Sequence, residues 1–352
     1  MQAIVLILAA LLITLPIAGR ASYQKKNFAG ILFCAVLAFV AWHLGGLFPL
    51  AGGPVIGILL GMLVANTAIP TFSEHTKAGI GVASKKVLQI AIVLFGFQMN
   101  LVLVFSLGGQ AILLIFAAIA AALLTAFFVG NKIGVRGDDQ ILIGVGTAIC
   151  GGSAIAATSP IIGAKEESVA RAISTIFLFN VIAAFLFPAI GHLLSMTNLR
   201  FGMWAGSAIN DTSSVVAASF SFSDAAGPIA MVVKLTRTLM IIPFCLVLSL
   251  RAAKQSPESG ARFQFHKTFP WFVLGFFLAS VLRTIGFIPV EITAFWGMMG
   301  RFLIVIAMVA IGLSCNLKEL LQKGKKPILL GGCCSLVTAA VAFAMLYLLN
   351  IS

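Results

Sequence analysis

Apolar runs close to the length of a bilayer-spanning helix recur from one end of the chain to the other, separated by short polar connections, and none alternates with a period of two. A bilayer core takes about 20 residues of helix, whereas outer-membrane barrels read as alternating segments of about ten. The pattern therefore predicts an all-α polytopic membrane protein. By length and flanks, segments near 2–18, 28–48, 51–68, 85–105, 108–130, 138–162, 166–194, 199–220, 224–250, 269–287, 295–316 and 327–349 qualify, about 11–12 transmembrane helices in all.

Two of these segments are poor continuous helices. Gly144 to Pro160 holds four glycines, two threonines, two serines and the closing proline. A glycine costs roughly 1 kcal/mol against alanine inside a helix, so this composition predicts a break whose freed backbone groups face a ligand. Gly206 to Ser219 repeats the grammar: aligned from Gly146 on Gly206, the two share Ala148/Ala208, Ile149/Ile209, Ser153/Ser213, Ala157/Ala217 and Ser159/Ser219. We expect two discontinuous helices. With one helix, 166–194, between them, two full crossings would run parallel, and a re-entrant path for one would reverse that relation. The residues leave both paths open.

A second regularity has a displacement of 216. Lys85–Leu101 resembles Arg301–Leu317 in its basic, Ala, Gly, Asn and Leu positions; Gly108 meets Gly324, Ile112-Leu113-Leu114 meets Ile328-Leu329-Leu330, and Pro54 meets Pro270. By the helix count the matched helices run oppositely, which predicts inverted repeats as in many secondary transporters. The chain then reads as a single integral membrane domain, 1–352, with repeat halves near 51–130 and 267–350 and a central core with the broken helices at 138–250.

Composition sharpens this. The chain is 61% hydrophobic and 9% charged, with mean hydropathy +1.11, far from the roughly 25% charged residues of soluble domains. The net charge of +13 is a topology signal: basic residues gather in alternate connections, among them Lys77, Lys85 and Lys86 between the third and fourth helices. This predicts that every second loop is cytoplasmic and both termini lie outside. Residues 1–18 lack a basic leading region, so an uncleaved first helix is expected. The six cysteines fall in apolar runs without metal-ligand spacing and read as packing residues.

Ionisable residues inside a bilayer cost at least about 2.5–3.5 kcal/mol each and are functional candidates by default. Lys234 and Arg237, three apart and so on one helix face, lie in the ninth helix, and Asp211 lies in the second break among Asn210, Thr212, Ser213 and Ser214. A helix starting there aims its positive end and the N–H groups of Thr212 to Ser214 at an anion, and Gly151, Gly152 and Ser153 do the same in the first break, without a Cβ to keep a ligand away. The expected substrate-binding set is Gly151, Gly152, Ser153, Asn210, Thr212, Ser213, Ser214, Lys234 and Arg237, with Asp211 coupling to H⁺ or Na⁺. Asn180, Asn100 and Asn316 read as interhelical hydrogen-bonding amides. No nucleophile–base set, metal motif, Walker loop or dinucleotide fingerprint occurs. Neither an enzyme nor a cofactor is expected.

Together, Gly-Thr-Ala-Ile-Cys-Gly-Gly-Ser-Ala-Ile-Ala-Ala (146–157), Gly-Ser-Ala-Ile-Asn-Asp-Thr-Ser-Ser-Val-Val-Ala-Ala (206–218), Val-Lys-Leu-Thr-Arg (233–237), Gly-Pro-Val-Ile-Gly-Ile-Leu-Leu-Gly-Met (53–62) and Leu-Gln-Ile-Ala-Ile-Val-Leu-Phe-Gly-Phe (88–97) resemble the YeiH-type family of bacterial inner-membrane proteins. The family is described as sulfate exporters, largely by inference, and the resemblance carries over no established site residue. It implies an inner-membrane location and agrees with the anion reading. The expectation is a secondary transporter of a small anion, sulfate or another sulfur oxyanion, working by alternating access in the lipid bilayer without nucleic acid. An ion channel lined by the two breaks and a non-transporting regulatory membrane protein are the alternatives. The residues leave oligomeric state open, a homo-oligomer included.

Overall fold

A computed structural model of the protein describes residues 21–47, 52–67, 74–98, 101–255, 271–287, 289–314 and 324–351. Among them there is no strand; the helices are α1 (Ala21–Leu47), α2 (Gly52–Thr67), α3 (Glu74–Val82), α4 (Leu88–Gly96), α5 (Leu101–Ile133), α6 (Asp138–Ala148), α7 (Gly152–Ile162), α8 (Glu166–Leu193), α9 (Asn198–Ala208), α10 (Thr212–Phe222), α11 (Ala226–Leu239), α12 (Ile241–Gln255), α13 (Trp271–Thr284), α14 (Val290–Leu313) and α15 (Lys325–Leu348). Among the described residues seven spans are long and apolar enough to cross a membrane, and α2, α7, α10 and α13 are shorter apolar helices. The fold is an all-α, multi-pass membrane fold. The expected helix at 2–18, and Asn100, Cys315 and Asn316, lie outside the described residues.

The structure moves three expected boundaries. Lys77, Lys85 and Lys86 are not in a loop: α3 and α4 are joined through a π-helical turn, Ala83–Val87, into one helical run. Ala83 and Val87 are buried while Lys85 and Lys86 face outward, so a helix that carries charge on one face looked like a polar connection. That run ends at Gly96, and the next helix begins at Leu101 rather than near 108. The expected helix 224–250 is two helices meeting at Met240, where Pro243 lacks an N–H and its ring opposes the carbonyl four residues back.

The chain divides into two compact units. The division gives 216–228, part of the expected 138–250 core, to the first unit, together with residues 1–106 and 271–318. In the first unit α14 packs against α2 through glycines. A Cβ at Gly61 would run into the Val309 carbonyl, and one at Gly312 into that of Ile58. The same contact is made a second time between α4 and α13, where a Cβ at Gly96 would meet the Phe276 carbonyl and the Ala279 side chain. Gly96 and Gly312 are the residues matched at a displacement of 216. Phe95 lies against Gly300 and Gln98 against Gly297, so the two matched segments run antiparallel.

The second unit comprises 107–215, 229–270 and 319–352. Here α5 and α15, matched at the same displacement, are also antiparallel: Gln110 Nε2 donates to the Leu349 carbonyl at 3.3 Å, and a Cβ at Gly134 would lie 3.5 Å from Lys326 Nζ. The first broken segment is re-entrant. Asp138, at the start of α6, accepts a hydrogen bond from the Lys165 backbone N–H just beyond α7, at 3.1 Å, and Ile155 of α7 packs on Gly146 of α6. Both ends of this hairpin are therefore at one level, with Ile149–Gly151 as its tip. α8 then runs in the sense of α6, tied at its base by the Arg171–Asp139 ion pair of 3.0 Å and higher up by Ile176 against Gly146.

α9 comes from the opposite end. Arg200 Nε donates to the Ile351 carbonyl at 2.6 Å and its guanidinium lies over Tyr347; Trp204 Nε1 donates to Ala339 O at 2.9 Å; Asn210 Nδ2 reaches Ser335 Oγ at 3.5 Å. Chain order rises along α9 as it falls along α15. α6 and α9 thus approach each other from opposite ends and stop beside Ser335, near the middle of the 24-residue α15. The re-entrant path resolves the parallel relation that two full crossings would impose.

The glycine contact between α2 and α14 leaves no room for a side chain, and overpacking of this kind costs about 1–3 kcal/mol or more. Gly61→Leu should lower the thermal unfolding midpoint in detergent by several degrees. Gly81→Ala, at a position where a Cβ meets no atom within 4 Å, should leave the midpoint unchanged; equal effects from both would contradict the packing.

Candidate functional site

An interrupted helix exposes carbonyls at the end of its first half and N–H groups at the start of its second, and in hydrocarbon each such group needs a partner. At the first tip α6 ends at Ala148 and α7 begins at Gly152; at the second α9 ends at Ala208 and α10 begins at Thr212. Gly151 turns the first tip at φ +69°, a conformation that side-chain-bearing residues rarely adopt. A Cβ there would lie 3.5 Å from the Asp211 Cβ and 3.6 Å from Asn180 Nδ2, so the two tips are neighbours.

The carbonyl ends are held by the two cations of α11. Lys234 Nζ donates to Ile149 O at 2.8 Å, to Ile209 O at 3.1 Å, and to Asn210 O. Three acceptors match the three donors of an ammonium group. Arg237 donates from Nε to Ala148 O at 2.8 Å, from Nη1 to Ser207 O at 2.6 Å and Ile209 O at 3.2 Å, and from Nη2 to Thr147 O. Both side chains are fully buried. Each cation bonds carbonyls of both broken helices, and the close approach that permits this is set by Gly206, where a Cβ would run into Ala230 and Val233 of α11. The carbonyl ends also carry the negative end of each helix dipole.

The N-terminal ends are arranged differently. Asp211 caps α10: its Oδ2 accepts from Ser213 N at 2.9 Å and from the Ser213 hydroxyl. Its own N–H donates to Asn180 Oδ1 of α8 at 3.2 Å. The Gly151 N–H turns back to Gly146 O at 2.9 Å. Helix geometry leaves the first-turn N–H groups of Gly152, Ser153, Thr212 and Ser214 without an intrahelical partner. Gly152 is half-buried, Ser153 is exposed, and a Cβ at Gly152 meets no atom within 4 Å. Ser213, Ser214 and Asn210 are buried, and Asn210 Oδ1 has no partner among the described residues.

The nine expected binding residues and Asp211 are therefore gathered at one crossing, in two groups. Lys234 and Arg237 face carbonyl ends, while Gly152, Ser153 and Thr212–Ser214 lie at N–H ends. Asn180, read from sequence as an interhelical amide, fixes the backbone of the second tip. The sequence also held an intramembrane cation that hydropathy reasoning passed over: Arg301, inside the apolar span of α14, is ion-paired with Asp224 in the first unit. Its signal was available as a lone Arg in the 295–316 segment.

Comparison with known proteins finds relatives that are named membrane proteins. The family model described as "Conserved hypothetical protein 698" matches residues 29–331. A UPF0324 membrane protein of Streptococcus pyogenes serotype M6 is 45% identical over 337 residues, covering 92% of this chain and 98% of the relative. One from Fusobacterium nucleatum is 41% identical over 348 residues, covering 93% and 100%, and one from Streptococcus pneumoniae strain R6 is 42% identical over 345 residues, covering 94% and 99%.

Removing either cation leaves several buried carbonyls unmet, at about 1–3 kcal/mol for each. Lys234→Met and Arg237→Met should each lower the unfolding midpoint sharply in detergent. Arg237→Lys should recover only part of the loss, because an ammonium lacks the planar fork that spans four carbonyls. An unchanged midpoint in both Met variants would show that the cations do not hold the tips.

Proposed function

The chain belongs to the UPF0324 family of membrane proteins, the family its YeiH-type motifs resemble, and from that premise we propose that it is a secondary transporter of a small anion. The observation that carries this reading is the charge balance at the crossing. The carbonyl ends of α6 and α9 and the N–H ends of α7 and α10 offset one another, each equivalent to about half a charge. That leaves Lys234 and Arg237 set against the carboxylate of Asp211, a surplus of positive charge in a low-dielectric interior. An anion seated at the N-terminal ends of α7 and α10 offsets it.

In this reading the two cations act as fixed field sources rather than direct ligands, because carbonyls take up all three donors of Lys234 and four of the five N–H groups of Arg237. Direct hydrogen bonds come from the N–H groups of Gly152, Ser153, Thr212 and Ser214 and from the hydroxyls of Ser153, Thr212 and Ser214. Gly151 sets the turn, and Ser213 and Asn210 hold the tip. A compact tetrahedral oxyanion, sulfate or another sulfur oxyanion, suits donors converging from two helix ends. Asp211, a carboxylate beside the bound anion, is the group that takes up H⁺ or Na⁺ as coupling ion. Alternating access moves helices around a site near mid-membrane. No step in this scheme is catalytic.

The test is flux in reconstituted vesicles. Labelled sulfate should enter saturably and show counterflow. Gly152→Val adds a side chain where space allows it but where backbone must meet the ligand, and should cut sulfate flux at least about ten-fold, the effect of losing roughly 1.4 kcal/mol of binding, with an unfolding midpoint like that of the unaltered protein. Non-saturable flux would favour a channel, and absence of flux for every oxyanion tried, or an unaffected Gly152→Val, would overturn the site.

A further inference from the structure

The first unit contains a cavity of about 490 Å³ walled by Trp42, Phe220, Met298 and Val305, with Arg301 and Asp224 at its polar side. Gly53 and Pro54, the first turn of α2, also border it. These belong to a glycine-rich stretch, 53–62, that the crossing in the second unit does not use. Arg301 is the twelfth residue of the 24-residue α14, in a span otherwise apolar enough to cross a membrane. An ionisable group in such a span marks a functional site by default. Its Nη1 donates to Asp224 Oδ2, while its Nε is buried with no hydrogen-bond partner among the described residues.

We propose that this cavity binds a water-soluble organic anion with an apolar body, a sulfonate or carboxylate on an aryl or alkyl group. Three features set the ligand class. Arg301 borders the cavity with about a third of its side chain exposed, and its guanidinium there offers charge and N–H donors to an oxyanion head. The positive end of the 16-residue α2 lies at the same cavity, which Gly53 and Pro54 border. The walls are aromatic and aliphatic, and the volume falls in the range of about 300–1,000 Å³ typical of small organic ligands. A water occupies about 30 Å³, so an inorganic oxyanion would leave most of the space and all of the apolar wall unused. Asp224, whose carboxylate is mostly exposed, competes with the ligand for Arg301 and is a counter-ion that the anion displaces.

The site is independent of the crossing, and its variants touch none of the residues there. Thermal unfolding of the purified protein in neutral detergent, titrated with benzenesulfonate, tests it. Benzenesulfonate should raise the midpoint saturably. Arg301→Gln should weaken the response at least about ten-fold, the loss of one charge-assisted contact. Gly46→Ile, at a cavity-lining position where a Cβ meets no atom within 4 Å, should abolish the response by filling the space, and it reports even if Arg301→Gln does not fold. Asp224→Asn should preserve or tighten binding, whereas loss of binding in that variant would replace the anion by a zwitterion. A response that survives both Arg301→Gln and Gly46→Ile would overturn the site. So would a response obtained with phosphatidylglycerol and not with benzenesulfonate, which would make the cavity a lipid site.

Discussion

Everything in the second unit depends on what happens to the carbonyls at Thr147–Ile149 and Ser207–Asn210. A helix that stops inside hydrocarbon leaves up to four carbonyls without partners, and no water is present to take them. The chain meets this demand with two cations on one turn of α11. Because Lys234 and Arg237 each bond both broken helices, they fix the tips against one another as well as satisfying them. Burying two ions in this way is costly unless their donors are met, and here carbonyls take all three donors of Lys234 and four of the five N–H groups of Arg237.

That arrangement explains why the two breaks differ in chemistry although their sequences rhyme. The first tip turns on Gly151, which has no side chain to cap α7, and its N–H end stays open. The second turns on Asn210 and Asp211, and Asp211 caps α10 through Ser213. One tip is therefore bare, the other carboxylate-capped. The asymmetry places the negative charge of the crossing beside one helix start only. In the proposed reading the N–H groups of Gly152 and Ser153 are set apart from the coupling carboxylate, while those of Thr212 and Ser214 lie on the helix that Asp211 caps.

Much of this was legible in the residues, and what was not has definite causes. Glycine cost located the first break, the repeated pattern at Gly206–Ser219 located the second, and burial cost singled out Lys234, Arg237 and Asp211. The 216-residue displacement identified helix pairs that the structure shows antiparallel, with the matched glycines Gly96 and Gly312 making the same close approach. The re-entrant path of 138–162 was not legible, because hydropathy reports length and composition but no direction; the reversal is recorded in one hydrogen bond between Asp138 and the Lys165 backbone. The partners of Lys234 and Arg237 were hidden for a related reason. They are backbone carbonyls, and a carbonyl has no letter in a sequence. Arg301 was hidden by its neighbours, since an apolar window absorbs a single charge without losing its hydropathy.

The same saturation limits how the crossing can evolve or be engineered. A site whose positive charge came from free lysines would tolerate Lys-to-Arg exchange and tune its affinity by charge number. Here the charge and the scaffold are the same atoms, so altering the field means leaving carbonyls unmet. Selectivity must then come from the groups that carry no structural duty: the first-turn N–H groups at Gly152, Ser153, Thr212 and Ser214, and the space above Gly152. Any change of substrate within such an architecture has to be sought at the helix starts, with Lys234 and Arg237 left in place.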